Sequence, residues 1–181
     1  MVLFHYQKEM FIWIKNWLKK NYAVAAKIRF NPWTISLNNI KRYALALPKA
    51  EFIPSAAPNL FLSKKKAKVF PHQKKFTGLS AKDKINTFAR HIKQLGLDAF
   101  LVTSAANTSW LLNLRSNALP YSPLFRAYLL VEKSGNCKVF AENTDYAAAL
   151  PFKNLAKILP QYKNLGADFT TAPVMIQTFA P

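Results

Sequence analysis

The sequence predicts an α/β fold: a mixed sheet flanked by helices, arranged as two partial units. Three observations carry that reading. Apolar residues recur at helical spacing in some windows and gather into short strand-length runs in others. Two apolar runs separated by Ser134-Gly135-Asn136 mark an antiparallel hairpin. Helix, strand, loop, hairpin and helix follow in an order that belongs to layered α/β proteins, and the pattern occurs twice in rough outline. The 181 residues, 51% hydrophobic and 14% aromatic, suffice to bury a core and argue against disorder.

The elements follow in order. Residues 6–20 place Met10, Trp13, Ile14, Trp17 and Leu18 on one helical stripe, with Lys15, Lys19 and Lys20 near the polar side. Phe11 and Ile12 widen the stripe, which favours a helix packed on a sheet over one lying on a membrane surface. Residues 22–30 read as a strand that Asn31-Pro32 breaks. Ser36 caps a helix over 37–47 with Ile40, Ala44 and Leu45 inward, and Pro48 stops it. A short strand at 51–53 precedes Pro54, and residues 54–74, rich in proline and lysine, form a connector. A boundary near residue 72 divides the chain into 1–71 and 72–181.

The second unit begins near Phe76. Ser80 with Asp83 three residues on gives a helix start; Ile85, Phe88, Ala89, Ile92 and Leu95 face inward, and Gly96 ends the helix. Residues 98–103 form an apolar strand covered on both faces. The run Trp110-Leu111-Leu112-Asn113-Leu114-Arg115 follows, then Pro120-Tyr121-Ser122-Pro123-Leu124-Phe125. It reads either as a buried strand or turn whose Asn113 and Arg115 satisfy local backbone groups, or as a strand end presenting them to a cleft. Residues 126–132 and 137–141 are hairpin strands, with Cys137 a small core residue. Asn143-Thr144-Asp145 caps a helix through about residue 158, a short strand covers 167–170, and the last residues are helical.

Charge is the strongest compositional signal, at +18 from 26 basic and 8 acidic residues. It favours a polyanion partner such as nucleic acid. The basic residues are mostly lysine and spread along the chain, without the arginine clamps and interleaved aromatics of nucleic-acid readers, so a solvated lysine-rich surface is the stronger expectation. A lone cysteine excludes a disulfide framework. His5 and Glu9 interrupt the first apolar stretch, and no run reaches the roughly 20 apolar residues of a membrane span, so a cytoplasmic protein without membrane association is expected.

Catalytic chemistry is scarce. His5, His72 and His91 are the only histidines, and His91 sits on the solvent side of its helix. The acidic residues do not cluster with histidine at metal-ligand spacing, so no metal site is expected. Four isolated glycines exclude a P-loop or dinucleotide fingerprint. Ser104 and Ser109 lack a glycine elbow.

Three blocks carry a family resemblance: Lys75-Phe76-Thr77-Gly78-Leu79-Ser80-Ala81-Lys82-Asp83-Lys84-Ile85, then DAFLVTSAANTSWLLNLR, then PYSPLFRAYLLV. In this order they resemble the second domain of the three-domain Xaa-Pro aminopeptidases, the aminopeptidase P family. Earlier segments, WIKNWLKK, KIRFNPWTIS and IKRYALAL, are similar to the end of that family's first domain. The resemblance implies creatinase-like N-terminal folding: residues 1–71 as the latter part of a first domain plus linker, and 72–181 as the start of a second.

The family's pita-bread catalytic domain, with its dinuclear manganese centre, has no counterpart here, so the resemblance implies a fragment without catalytic residues or cofactor of its own. Ser116 stands where the family has glycine, Ala118 and Asn31 where it has aspartate, and Ala105-Ala106 where it often has a leucine-aspartate pair. By resemblance, Trp110, Asn113 and Arg115 are the substrate-cleft candidates, for peptides with proline at the second position. Arg115 is the polar contact for a carbonyl or carboxylate. A separately encoded catalytic domain or self-association is the expected partner.

Overall fold

A five-stranded mixed sheet with apolar faces on both sides organises the chain. The computed structural model describes residues 12–13, 16–17, 20–21, 26–55 and 66–179. Residues 12–13, 16–17 and 20–21 are helical; the rest of the stripe expected over 6–20, and the strand expected over 22–25, lie outside the described residues.

The N-terminal elements are β1 (Lys27–Phe30), α1 (Leu37–Ala46) and β2 (Glu51–Pro54). β1 and β2 pair in parallel, so α1 is a crossover helix. Ser36 caps it as expected, accepting from the Asn39 N–H at 3.3 Å. Its inward face differs from the expected one. Leu37 and Ile40 turn inward, whereas Ala44 is exposed and Leu45 is 83% exposed. The reason is where the helix docks. The Leu37 N–H donates to Ala172 O and the Asn38 N–H to Phe169 O, both at 2.9 Å, which fixes the N-terminal end on the loop at 168–173. Trp33 closes the same junction against Phe152 and Phe179.

Next come β3 (Val69–Pro71), α2 (Lys74–Thr77), α3 (Ala81–Gln94), β4 (Ala99–Val102), α4 (Ala105–Leu112) and β5 (Leu114–Ser116). Ser80 caps α3 as the Ser-x-x-Asp pattern predicts: its hydroxyl accepts the Asp83 N–H at 3.1 Å and bonds the Asp83 carboxylate. Ile85, Ala89 and Ile92 are buried and His91 is exposed, but Leu95 is 70% exposed, because it is the helix's C-terminal cap rather than its last inward turn. β3, inside the stretch expected to be a bare connector, pairs antiparallel with β5.

The chain closes with β6 (Tyr128–Glu132), β7 (Cys137–Phe140), β8 (Ala149–Leu150), α5 (Leu155–Ile158), β9 (Leu165–Ala167) and α6 (Val174–Gln177). The sheet order is β8-β7-β6-β4-β9; β4 pairs antiparallel with β6 and parallel with β9, and β7 pairs parallel with β8. The hairpin β6–β7 turns at Gly135, where φ is 91°, a value that favours glycine. Cys137 is exposed rather than buried, because it starts β7 beside that turn.

The long helix expected from 143 to 158 is not formed. Asn143 adopts φ 50°, β8 intervenes, and helix is confined to α5 between two 3-10 turns. Asp145 instead accepts the Val69 N–H at 2.8 Å, so its side chain serves the connector rather than a helix start.

Side chains alternate between the sheet's two cores. Leu129 and Val131 of β6 and Val102 of β4 join Ile85, Ala89 and Ile92 of α3 and Leu111 of α4. Leu130, Ala99 and Leu101 join Leu155, Leu159 and Ile176 on the other face. Double coverage explains why 98–103 and 128–131 read as continuous apolar runs.

Candidate functional site

The Trp110 run is a helix end, a cap and a strand, not a buried strand or simple turn. Ser104 caps α4, and Thr108, Ser109 and Leu111 turn inward. Trp110 turns outward and is 54% exposed. Asn113 ends the helix at φ 51° and ψ 39°, a left-handed cap that asparagine tolerates better than most residues. The chain then enters β5.

A buried lysine holds this corner together. Lys84 of α3 is 2% exposed, and its Nζ donates to Trp110 O at 2.9 Å and to Asn113 Oδ1 at 2.7 Å. It also stands 4.3 Å from the centroid of the Trp110 ring. Asn113 Nδ2 donates to Leu79 O at 2.9 Å, and Asn113 O accepts the His72 N–H at 2.7 Å. Burial, with a smaller push from Arg115, lowers the Lys84 pKa from its ordinary value. No carboxylate pairs with Lys84 among the described residues. It bonds to neutral dipoles and an aromatic face instead.

Arg115 is likewise engaged with backbone. One guanidinium nitrogen donates to Ser109 O at 3.2 Å and to Leu114 O at 2.9 Å. The Ser109 hydroxyl accepts the Phe125 N–H at 2.8 Å, extending the brace to the following loop. Of the three residues singled out from sequence, Trp110 lines a cleft, while Asn113 is bonded to Lys84 and to Leu79 O, and Arg115 to the Ser109 and Leu114 carbonyls. Sequence reasoning missed Lys84. Its signal was a lysine on the apolar stripe, one helical turn before Phe88.

The cleft is about 300 Å³, walled by Phe88, Phe100, Val102, Trp110 and Leu111, with Asp168 also on its lining. Phe88 and Phe100 meet edge to face at 5.5 Å. Asp168 accepts from the Thr170 N–H and hydroxyl and from the Thr171 hydroxyl, and these bonds, led by the Thr170 hydroxyl, hold its carboxyl below the usual range. Phe76 on α2 and Leu79 in the turn after it, which Asn113 fastens, are exposed. The arrangement suits binding of an apolar ring. Among the described residues no group of three His, Cys, Asp or Glu side chains is placed to hold a metal ion. These residues therefore do not fit a dinuclear centre. Among them, too, no helix is long and apolar enough to cross a membrane.

Residues 62–175 match the Creatinase/Prolidase N-terminal domain family. Xaa-Pro aminopeptidase 2 of Sus scrofa is 26% identical over 146 residues, covering 75% of this chain and 22% of that protein. Aminopeptidase P2 of Arabidopsis thaliana is 32% identical over 106 residues, 59% of this chain and 14% of its own length. Among solved structures, X-prolyl aminopeptidase from Caenorhabditis elegans, a cytosolic enzyme with a di-nuclear active site, aligns with a TM-score of 0.59 and 24% identity. That alignment covers 87% of this chain and 26% of the neighbour, and at this identity the likeness is one of fold. The chain thus spans about a fifth of the length of the Sus scrofa relative. These similarities favour a peptidase-family domain over a polyanion binder.

Proposed function

The chain belongs to the creatinase/prolidase N-terminal domain family, and on that premise we propose that it is a non-catalytic unit walling the peptide cleft of an Xaa-Pro aminopeptidase-like metallopeptidase. The observation that carries this reading is Trp110, half exposed on the wall of a largely apolar cleft, its carbonyl and ring met by Lys84, with Asn113 and Arg115 bonded to the same helix end. A rigid aromatic face packs well against the ring of a proline at the second position of a short peptide, at little entropic cost. Asn113 and Arg115 act as braces that fix the angle of the indole.

Metal-dependent hydrolysis belongs to a catalytic domain, in the same longer protein or on a separate chain. Exposed Phe76, Leu79 and Trp110 are the apolar surface through which this unit meets that domain or a second copy of itself. The compartment is the cytoplasm, as for the neighbour from Caenorhabditis elegans.

The test uses the purified chain. A short prolyl peptide is expected to shift the Trp110 indole resonance, and Trp110→Ala is expected to abolish that response, with no turnover of the peptide with or without manganese. Turnover, or peptide-induced shifts that leave the Trp110 indole unmoved, would overturn the reading.

A further inference from the structure

A second cavity, of about 460 Å³, opens beyond the carboxyl end of β4 and shares Thr103 with the Trp110 cleft. One wall is the connector, stitched to distant segments. The Ala67 N–H donates to Asn143 O at 2.6 Å, Ala67 O accepts the Asp145 N–H at 3.0 Å, and the Lys68 N–H donates to Asn117 Oδ1 at 2.8 Å. The cavity is therefore assembled from stretches far apart in sequence.

Its polar groups are unbalanced. Lys66 and Arg126 both line it, and neither has a hydrogen bond or ion pair among the described residues. The Tyr128 side chain lines it too, and its hydroxyl lacks a partner among the described residues. Burial pushes the Tyr128 pKa up to about 12, so the hydroxyl remains a proton donor at any physiological pH. Ala105 opens α4 at the same cavity; the Ser104 hydroxyl takes the Asn107 N–H, and the N–H groups of Ala105 and Ala106 have no intrahelical acceptor. The one carboxylate on the lining, Glu142, already accepts the Phe152 N–H at 2.9 Å. Phe152, packed at 4.8 Å against Tyr128, supplies a flat apolar surface.

We propose that this cavity binds a small organic oxyanion, a carboxylate or phosphate on a flat apolar body, with Arg126 and Lys66 on the anion, the Tyr128 hydroxyl donating to it, and Phe152 against the body. Two unpaired cations, a hydroxyl without a protein partner and a helix start lining one cavity match an anion better than any other ligand. The assignment does not depend on the role of Trp110.

The probes are benzoate, phenyl phosphate and neutral benzamide, titrated into the whole chain and followed by amide chemical shifts. Benzoate or phenyl phosphate is expected to shift Ala105, Ala127 and Tyr128 saturably, and whichever binds tighter identifies the anion class. Binding weakens with added salt, and benzamide binds about tenfold weaker or worse. Arg126→Gln should lower affinity about tenfold without changing thermal stability, because Arg126 is exposed and unpaired. Tyr128→Phe should weaken binding less. Equal binding of benzamide, an unchanged affinity in Arg126→Gln, or shifts scattered over the surface lysines would each overturn the proposal.

Discussion

At one end of the sheet Lys138 meets a carboxylate; behind the end of α4 Lys84 meets none. Lys138 donates to Glu132 Oε1 at 2.6 Å and to the Tyr162 hydroxyl at 3.2 Å, and that hydroxyl donates to the same Glu132 oxygen at 2.7 Å. The bond from Lys138, then that from Tyr162, brings the Glu132 pKa down to about 2, and Glu132 in turn raises that of Lys138. For Lys84 the dominant influence is burial, and the shift runs downward. The comparison separates two ways of holding a cation. At the partly exposed sheet end, charge meets charge in reach of water, so each partner can fall back on solvent. Behind the helix end, the lysine satisfies a carbonyl and an amide oxygen that have little other recourse.

The largest effect that could break this contrast comes from Lys84→Met, which keeps most of the stem and removes the three donors. It is expected to lower stability by about 1–3 kcal/mol, read as a fall in the urea midpoint at constant slope. A change within a few tenths would show that the clamp is dispensable. Asn113→Gly is next: glycine accepts the positive φ, so the loss isolates the amide's two bonds, at about 1–2 kcal/mol. Asn113→Ala should be worse, because a Cβ in the left-handed region adds strain of about 1 kcal/mol.

Glu132→Gln sharpens the other side of the comparison. Its folded pKa lies below the ordinary value of 4.5, so its stabilisation is fully present above about 4.5 and is lost as pH falls toward about 2. Acid titration of thermal stability should therefore be shallower in Glu132→Gln across that window, with a deficit at neutral pH of about 1 kcal/mol or less. Identical acid profiles would remove Glu132 from the account. The smallest effect is that of salt. Raising it to molar strength should narrow the gap between the chain and Glu132→Gln by a few tenths of a kcal/mol and leave the gap to Lys84→Met unchanged.

What could be read from the sequence follows from where local chemistry decides structure. Ser80 and Asp83 announced α3, Ser36 announced α1, and Ser134-Gly135-Asn136 the hairpin, since each is a local hydrogen-bonding or φ requirement. α4 was illegible because its eight residues reverse the usual pattern: Thr108 and Ser109 are buried while Trp110 faces out. The stop at Asn113 depends on a partner 29 positions away, at Lys84. The helix expected from Asn143 failed for the same reason. Its capping residues were recruited by the connector, a tertiary demand that no local window contains. Trp110, Asn113 and Arg115 were singled out together, but that Trp110 is exposed while Asn113 and Arg115 are bonded to their surroundings appears only once Ser109, Leu114 and Lys84 are in place.

The stitched connector has a mechanical consequence. Val69–Pro71 runs antiparallel to Leu114–Ser116, while the residues just before it grip Asn117 on one flank and Asn143 and Asp145 on the other. A pull transmitted along the backbone from the N-terminal half would load these bonds side by side, in shear, rather than peel them apart singly. The segment is thus a mooring, and tension carried along the connector itself would be borne there before it reached β4.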